Sequence, residues 1–313
     1  MEYKLTLEPT LPLPNSTIQI PLLGFGVYNS HGEACIESIH TALKAGYRHI
    51  DTAQYEQRSF QTHSPFFLAV KTYSSTAHRS YENETEVGAA ITSSGIPRSE
   101  LFITSKIRVP AADGAQDHYS SVLESIQRID PGPNGYVDLF LIHSPKPPAD
   151  VRRDVWFALG KLLAEGKVRS IGVSNWDVSR IEEMKSWGER PGAVWPPMVN
   201  QIELHPFCQQ KEIVSYCRLH DIVLEAYCPL VRNQRADDPI LLALAKRHKK
   251  ATTQILIRYC LQKGWVPLPR SSTASRIEQN RDVYCFELTE EDMAALDGLD
   301  EGSEGAIVWA VHE

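Results

Sequence analysis

The chain has 313 residues and a hydrophobic fraction of 42%, which is enough to bury a large core. Its formal net charge of -7 at pH 7 argues against a general binder of nucleic acids or anionic membranes. The six cysteines have no C-x-x-C or metal-ligand spacing, and no run approaches the roughly 18 apolar residues of a membrane span. Together with the charged segment Met1–Thr10, which lacks the apolar core of a signal peptide, these features predict a cytoplasmic protein with reduced thiols.

Apolar runs of strand length alternate with amphipathic segments of helical period along most of the chain. The predicted strands are Thr17–Ile20, Leu22–Val27, His49–Ala53, Leu101–Lys106, Val137–Ile142, Ser170–Val173, Met198–Glu203, Ile222–Tyr227 and Val266–Leu268. The predicted helices are Glu33–Ala45, Tyr81–Ser94, His118–Ile129, Val151–Glu165, Val178–Trp187, Gln209–His220, Pro239–His248, Thr253–Lys263, Ala274–Asn280 and Thr289–Leu299. This alternation predicts an α/β fold, a (β/α)8 TIM barrel with an N-terminal β-hairpin and extra C-terminal helices.

The alternative architecture is a doubly wound parallel sheet. That fold would carry a G-x-G-x-x-G turn after its first strand, and the chain has only Gly24-Phe25-Gly26 there. We therefore predict one barrel domain over residues 1–313.

The segment Glu56–Ser80 does not fit the barrel pattern. It separates the second barrel strand from its helix by 25 residues that include eight Ser or Thr and an isolated apolar patch, Phe66–Val70. Connections of this length without structure are uncommon in compact domains. We predict an inserted, poorly ordered loop.

Polar residues follow apolar runs at three successive strand ends. Asp51, Lys106 and His143 would meet at the carboxyl edge of the barrel, where parallel α/β folds place their chemistry. A lysine beside the hydroxyl of Tyr81 would lower the phenol pKa from about 10 and make it a useful acid toward a carbonyl. A plain Asp–Lys ion pair and a satisfied core histidine are the structural alternatives.

Two further groups of residues suit a dinucleotide. Ser174, Asn175, Gln201 and Tyr227 end the next three predicted strands, and their amides, hydroxyls and ring could bind a nicotinamide and its carboxamide. Arg270, Ser271, Thr273, Arg276 and Asn280 surround a predicted helix start near Ala274. Two arginines and several hydroxyls at that position predict an anion site, with a solvated loop as the alternative.

These segments together resemble the aldo-keto reductases. The resemblance covers nearly the whole chain except residues 56–80. It rests on the motifs Gly46–Ala53, Tyr81–Gly88, Ile171–Asn175, Val199–Gln201 and Pro269–Ser271, which stand in the family's order. It implies a barrel that uses NADPH to reduce an aldehyde or ketone to an alcohol.

The resemblance also implies a role for each candidate residue. Asp51, Tyr81, Lys106 and His143 resemble the family's catalytic tetrad, with Tyr81 as the proton donor. The implied cofactor contacts are Ser174, Asn175 and Gln201 at the carboxamide, Tyr227 on the nicotinamide, Leu230 and Arg232 along the pyrophosphate, and Arg270, Ser271, Thr273, Arg276 and Asn280 at the adenosine phosphate end. Arg270 stands where the family often has lysine, and its guanidinium suits a 2′-phosphate, which favours NADPH over NADH.

The chain departs from the family pattern in two places. The family's tyrosine follows the aspartate by five positions, where this chain has Glu56, and deleting residues 56–80 would place Tyr81 at that spacing. An insertion, for example a retained intron, would explain this, and it could displace the acid. The second departure is Arg108-Val109-Pro110, where many relatives carry a tryptophan. A more polar substrate wall follows, with Trp176 and Trp309 as further candidates to line it.

Two other functions compete with a reductase. A nicotinamide-nucleotide-binding protein with impaired catalysis is the main alternative. A metal-dependent hydrolase would need clustered ligands at the strand ends, and only His143 and Asp51 are available, so we predict no metal. The expected partner is a small-molecule carbonyl substrate, with no nucleic acid and no membrane, and we expect a monomer.

Overall fold

The N-terminal hairpin consists of β1 (Thr10–Pro12) and β2 (Gln19–Pro21), which pair antiparallel. The computed structural model describes residues 9–54, 83–108, 117–187, 194–308 and 311. The predicted inserted loop, residues 56–80, lies outside the described residues. The sequence pattern places one strand at Thr17–Ile20 but misses β1, because a three-residue strand carries too little alternation to be detected.

Eight parallel strands follow one another around a single sheet in chain order. They are β3 (Gly24–Gly26), β4 (His49–Asp51), β5 (Phe102–Ile107), β6 (Val137–Ile142), β7 (Val168–Ser174), β8 (Val199–Glu203), β9 (Val223–Tyr227) and β10 (Val266–Pro267). The Gly26 amide donates to the Pro269 carbonyl at 3.0 Å, which brings the first strand of the sheet to the end of the last. The predicted (β/α)8 barrel with an N-terminal hairpin is confirmed.

Ten α-helices surround the strands and complete the C-terminal part of the described chain. They are α1 (Gly32–Lys44), α2 (Glu84–Ser93), α3 (His118–Ile129), α4 (Ala149–Ala164), α5 (Val178–Glu183), α6 (Lys211–Leu219), α7 (Pro239–His248), α8 (Thr252–Gln262), α9 (Ala274–Arg281) and α10 (Glu290–Asp297). The predicted extra C-terminal helices correspond to α9 and α10. Within the described ranges, no helix combines the length and apolar character needed to cross a membrane.

The predicted helix Tyr81–Ser94 starts later in the structure. Asn83 precedes α2 with φ -135°, so the α2 backbone becomes helical only at Glu84. The buried Asn83 amide donates to the carbonyls of Val27 at 2.8 Å and Ser30 at 2.9 Å. These long-range contacts explain a helix start that local periodicity could not locate.

Side chains alternate between the inside of the barrel and the surrounding helices. An apolar cluster includes Phe102, Leu139, Val199 and Val266 from the barrel strands. It also includes Leu13, which follows β1, and Ile20, which lies in β2. Toward the carboxyl ends of the strands the inward side chains become polar. The apolar cluster therefore fills one end of the barrel, and the other end carries the polar side chains of the site.

Candidate active site

The Lys106 ammonium forms a buried ion pair with Asp51. Its Nζ lies 2.7 Å from Asp51 Oδ1 and 2.8 Å from Oδ2, and it also donates to the Thr52 carbonyl at 2.9 Å. Only 1% of the Lys106 side chain and 4% of the Asp51 side chain are exposed. A charged pair is stable at such burial only when the remaining donors and acceptors are satisfied, and Lys106 meets that condition with three acceptors.

His143 follows β6 at the same end of the barrel. Its amide donates to the Ile107 carbonyl at 3.0 Å, and its own carbonyl accepts from Asn175 Nδ2 at 3.2 Å. Desolvation lowers the pKa of the imidazole well below its ordinary value, and the positive charges of Lys106 and Arg108 lower it further. The ring is therefore neutral at physiological pH, and one of its nitrogens carries a hydrogen that can be donated.

Tyr81 lies outside the described residues, and the described residues that flank this part of the chain are Gln54 and Asn83. Thr52 Oγ1 donates to Asn83 Oδ1 at 2.6 Å. Gln54 is anchored to α3 by a hydrogen bond from Nε2 to Ser125 Oγ at 2.8 Å. Residues 52 and 83 are thus in contact although 30 residues separate them in the sequence, beside the Asp51–Lys106 pair.

Three residues predicted to bind the carboxamide and the nicotinamide ring form one hydrogen-bonded chain. Tyr227 donates through its hydroxyl to Asn175 Oδ1 at 2.8 Å, and Asn175 Nδ2 contacts Ser174 Oγ at 3.1 Å. Asn175 adopts φ 63°, a left-handed conformation that asparagine tolerates better than most residues. Burial raises the pKa of the Tyr227 phenol well above its ordinary value, so this ring stays neutral.

Gln201 occupies a different place from the one predicted. It lies in the middle of β8, since the strand continues to Glu203. Its Nε2 donates to Asp51 Oδ2 at 2.9 Å and to Glu225 Oε2 at 2.8 Å. Both amide hydrogens therefore bind carboxyl groups inside the barrel, and the amide contributes only its oxygen to other partners.

The turn after β9 contains Leu230 and Arg232. Val231, Arg232 and Asn233 adopt positive φ values of 46°, 47° and 63° in succession. Such a conformation is strained for a β-branched valine and persists only where the surroundings fix it, which is typical of functional turns. The exposed Arg232 guanidinium also lies 5.8 Å from the Tyr28 ring.

The predicted adenosine-phosphate residues lie just before α9 and along it. Arg270 Nη2 donates to the Asn29 carbonyl at 2.9 Å, and Ser271 Oγ accepts from the Thr273 amide at 3.1 Å. Arg276 is exposed on the first turn of the helix. Asn280 is only 3% exposed, and its Oδ1 accepts no hydrogen bond from the described residues. A buried amide oxygen of this kind can accept from an amino group, and exposed guanidinium groups can bind phosphate oxygens.

Sequence reasoning missed the polar layer beneath the ion pair. His49 Nε2 contacts Thr104 Oγ1 at 2.9 Å and lies 3.5 Å from Glu225 Oε1, and all three side chains are fully buried. A charged residue inside the apolar run Val223-Leu224-Glu225-Ala226 was the available signal.

Trp176, a predicted pocket residue, is fully buried and packs edge-on against Trp187 at 6.1 Å between ring centroids. Trp309 lies outside the described residues.

The described residues contain no group of three or more His, Cys, Asp or Glu side chains that could hold a metal ion. The site geometry instead combines a buried lysine, a neutral histidine and a chain of amides and hydroxyls. The sequence profile of the Aldo/keto reductase family matches residues 23–301. The chain belongs to the aldo-keto reductase family.

Similar proteins agree with this assignment. This aldo-keto reductase is 37% identical to the glyoxal reductase of Bacillus subtilis over 94% of each chain. An aldo-keto reductase from a deep-sea metagenome library matches its structure with a TM-score of 0.78 at 33% identity, over 93% of this chain and 95% of that one. An aldo-keto reductase of Bombyx mori in complex with NADP gives a TM-score of 0.75 at 29% identity, over 95% and 94%. The protein is thus an oxidoreductase of a family that acts on carbonyl compounds with a nicotinamide cofactor.

Proposed function

We propose that this protein reduces an aldehyde or ketone to an alcohol with NADPH, and that Tyr81 donates the proton. The observation that carries the proposal is the Lys106 ammonium, which is buried at 2.7 Å from Asp51 on the catalytic end of the barrel. A desolvated cation stabilises a nearby phenolate and so lowers the pKa of the phenol. Lys106 and Asp51 would tune Tyr81 in this way.

The position proposed for Tyr81 is supported by the contact across residues 52 and 83. Because Thr52 and Asn83 are hydrogen-bonded at 2.6 Å, the segment between them starts and ends beside the ion pair. Tyr81 precedes Asn83 by two residues in the sequence, and we propose that it reaches the ion pair from there. The neutral His143 would donate to the carbonyl oxygen and orient it, and preorganised donors of this kind stabilise the negative charge that develops there.

The cofactor is proposed to be NADPH, which when bound supplies a hydride to the carbonyl carbon. Ser174, Asn175 and the Gln201 oxygen would hold the carboxamide, and Tyr227 would stack on the ring. The remaining proposed contacts are Leu230 and Arg232 along the pyrophosphate, and Arg270, Ser271, Thr273, Arg276 and Asn280 at the adenosine phosphate end. The exposed Arg270 fork favours a 2′-phosphate and thus NADPH over NADH.

The proposed substrate is a small carbonyl compound, such as the glyoxal named for the Bacillus subtilis relative. The six free cysteines suit a reducing compartment, and we propose that the protein acts in the cytoplasm. The alternative is a nucleotide-binding protein in which residues 56–80 displace Tyr81.

The test follows NADPH oxidation by absorbance, with glyoxal and an activated aromatic aldehyde as substrates. We would compare the native chain, Tyr81→Phe, and a chain without residues 56–80. Turnover by the native chain that Tyr81→Phe abolishes is the expected result. Turnover only after the deletion would favour the impaired binding protein instead, and turnover by Tyr81→Phe at the native rate would exclude Tyr81 as the acid.

A further inference from the structure

Glu225 is a buried carboxyl group whose bonding is incomplete. It lies in the middle of β9, and its side chain is fully buried inside the barrel. Oε2 accepts from Gln201 Nε2 at 2.8 Å. Oε1 lies 3.5 Å from His49 Nε2 and accepts no hydrogen bond from the described residues. A carboxylate at such burial is costly unless a cation or several donors compensate it.

Among the residues that the structure describes, Glu225 has no cation of its own. The titratable groups that face it are His49 and Asp51 from β4 and Lys106 from β5, while β8 offers the neutral Gln201 and β10 the apolar Val266. Lys106 binds both oxygens of Asp51. Burial lowers the pKa of His49 to about 3, so the imidazole adds no charge. Asp51 and Glu225 thus lie near the same lysine, and Lys106 is hydrogen-bonded to Asp51.

Protonation of Glu225 resolves this imbalance. Burial, and then the negative charge of Asp51, raise the pKa of Glu225 to about 8. At neutral pH the group is therefore mostly a neutral carboxylic acid that still accepts from Gln201 through Oε2. Of Lys106, Asp51 and Glu225, only Lys106 and Asp51 are then charged, and this pair of opposite charges has the smallest desolvation penalty.

Asp51 and Glu225 together determine which way the Gln201 amide faces. Its NH2 group is held between Asp51 Oδ2 at 2.9 Å and Glu225 Oε2 at 2.8 Å. When the Glu225 proton is on Oε1, Oε2 remains an acceptor, and a flipped amide would set its oxygen against Asp51 Oδ2 and Glu225 Oε2. The amide nitrogen is therefore fixed inward, and the oxygen remains for another donor. We propose that Glu225 is a positioning residue which, in its protonated form, orients Gln201 for the nicotinamide carboxamide and leaves the charge of Lys106 to Asp51 alone.

This inference rests on the proposed function, because it assigns Gln201 to the cofactor. NADPH affinity tests it without turnover. Glu225→Ala removes an acceptor of the Gln201 amide, and we expect the Kd for NADPH to rise roughly tenfold, the equivalent of one hydrogen bond. Glu225→Gln keeps the size and the acceptor, and should recover most of that loss. Alanine and glutamine variants that both bind NADPH as the native chain does would overturn the proposal.

The pH dependence of unfolding provides the second readout. The folded chain retains the Glu225 proton up to about pH 8, whereas the unfolded chain releases it near the ordinary glutamate pKa of 4.5. Native stability should therefore fall as pH rises across this window, and Glu225→Gln should lack that part of the decline. Superimposable curves of melting temperature against pH for the two proteins would contradict the assignment of a proton to Glu225 in the folded chain.

A matched control is Glu84→Gln. Burial also raises the pKa of Glu84, but its carboxylate binds Ser105 and Ser125 on the helix side of the sheet. We expect Glu84→Gln to change the pH dependence of unfolding in the same direction without weakening NADPH binding. If the native chain binds NADPH but reduces no aldehyde, the proposed function fails, and the affinity pattern of the Ala and Gln variants still decides the role of Glu225.

Discussion

Two buried aspartates at opposite ends of the barrel strands show how differently one fold treats an acid. Asp138 lies near the start of β6 and faces the helices, and Asp51 ends β4 and faces the interior. Asp138 accepts from Arg98 at 2.8 Å, Arg169 at 2.7 Å and the Ile103 amide at 2.9 Å. Both arginines reach solvent, with 18% and 39% of their side chains exposed. The buried Asp138 thus has two partly hydrated cations, of which Arg98 also pairs with Asp130 at 3.3 Å, and this arrangement is stable.

The Asp51 end has the reverse ratio of charges. A single lysine, 1% exposed, serves two acids, and Glu225 Oε1 lacks a donor among the described residues. Burial and the negative charge of Asp51 raise the pKa of Glu225 at this end, and a shifted pKa of this kind is useful for proton transfer and poor for stability. The contrast agrees with the general division of barrels into a stabilising amino-terminal face and a catalytic carboxyl-terminal face.

The largest effect is expected for Lys106→Met. Removal of the ammonium takes away the charge that would tune the tyrosine, and we expect kcat to fall roughly 10²–10⁴-fold. It also leaves the buried Asp51 carboxylate without its cation, at a cost of about 3–5 kcal/mol in the free energy of unfolding. Steady-state kinetics and urea unfolding measure the two losses. A variant that retains more than half of the native kcat would contradict this assignment.

Asp138→Asn should separate stability from catalysis. It removes the charge that pairs with Arg98 and Arg169, and because both arginines stay partly hydrated we expect a loss of only about 2–3 kcal/mol in the free energy of unfolding. The kcat of the folded fraction should stay within about twofold of native, because the cluster touches no proposed site residue. A fall in kcat comparable to that of Lys106→Met would remove the distinction between the two ends.

The polar residues at the carboxyl ends of the strands were easier to predict from the sequence than the buried polar residues beneath them. Asp51, Lys106 and His143 each follow an apolar run, so their position at the strand ends could be predicted from polarity alone. The Gln201 contacts to Asp51 and Glu225 join residues 150 and 24 positions apart, and no local pattern encodes them. Likewise, α2 begins only after Asn83 because Asn83 bonds to Val27 and Ser30, across 56 and 53 residues. Local periodicity predicts elements, whereas contacts across the barrel fix their ends and orientations.

A third prediction concerns acid stability. The pKa of His49 is lowered from 6.5 to about 3 in the folded chain. The unfolded chain therefore binds more protons between these values, and stability should fall as pH drops through that window. We expect His49→Gln to abolish roughly 2 kcal/mol of the native loss between pH 6 and pH 4. Denaturant titrations at both pH values test this, and an equal loss in the two proteins would refute it.

The smallest effect is expected for Thr52→Val. It deletes the hydrogen bond to Asn83 at 2.6 Å, so we expect a loss of about 1 kcal/mol in the free energy of unfolding. If this contact positions the chain that carries Tyr81, kcat should also fall several-fold. Thr41→Val is the matched control, because within the described part of the chain its hydroxyl bonds only to the Glu37 carbonyl on the surface of α1. Equal kcat values for the two variants would argue against a positioning role.

The most direct test of the central claim measures NADPH binding and NADPH turnover side by side for the native chain and Lys106→Met. Fluorescence titration gives the Kd for NADPH, and aldehyde-dependent absorbance loss gives kcat. If the carboxyl-terminal ion pair serves proton donation, Lys106→Met should bind NADPH within about threefold of native and lose at least roughly 100-fold in kcat. Unchanged turnover, or a native chain that binds NADPH and reduces no aldehyde, would contradict the account.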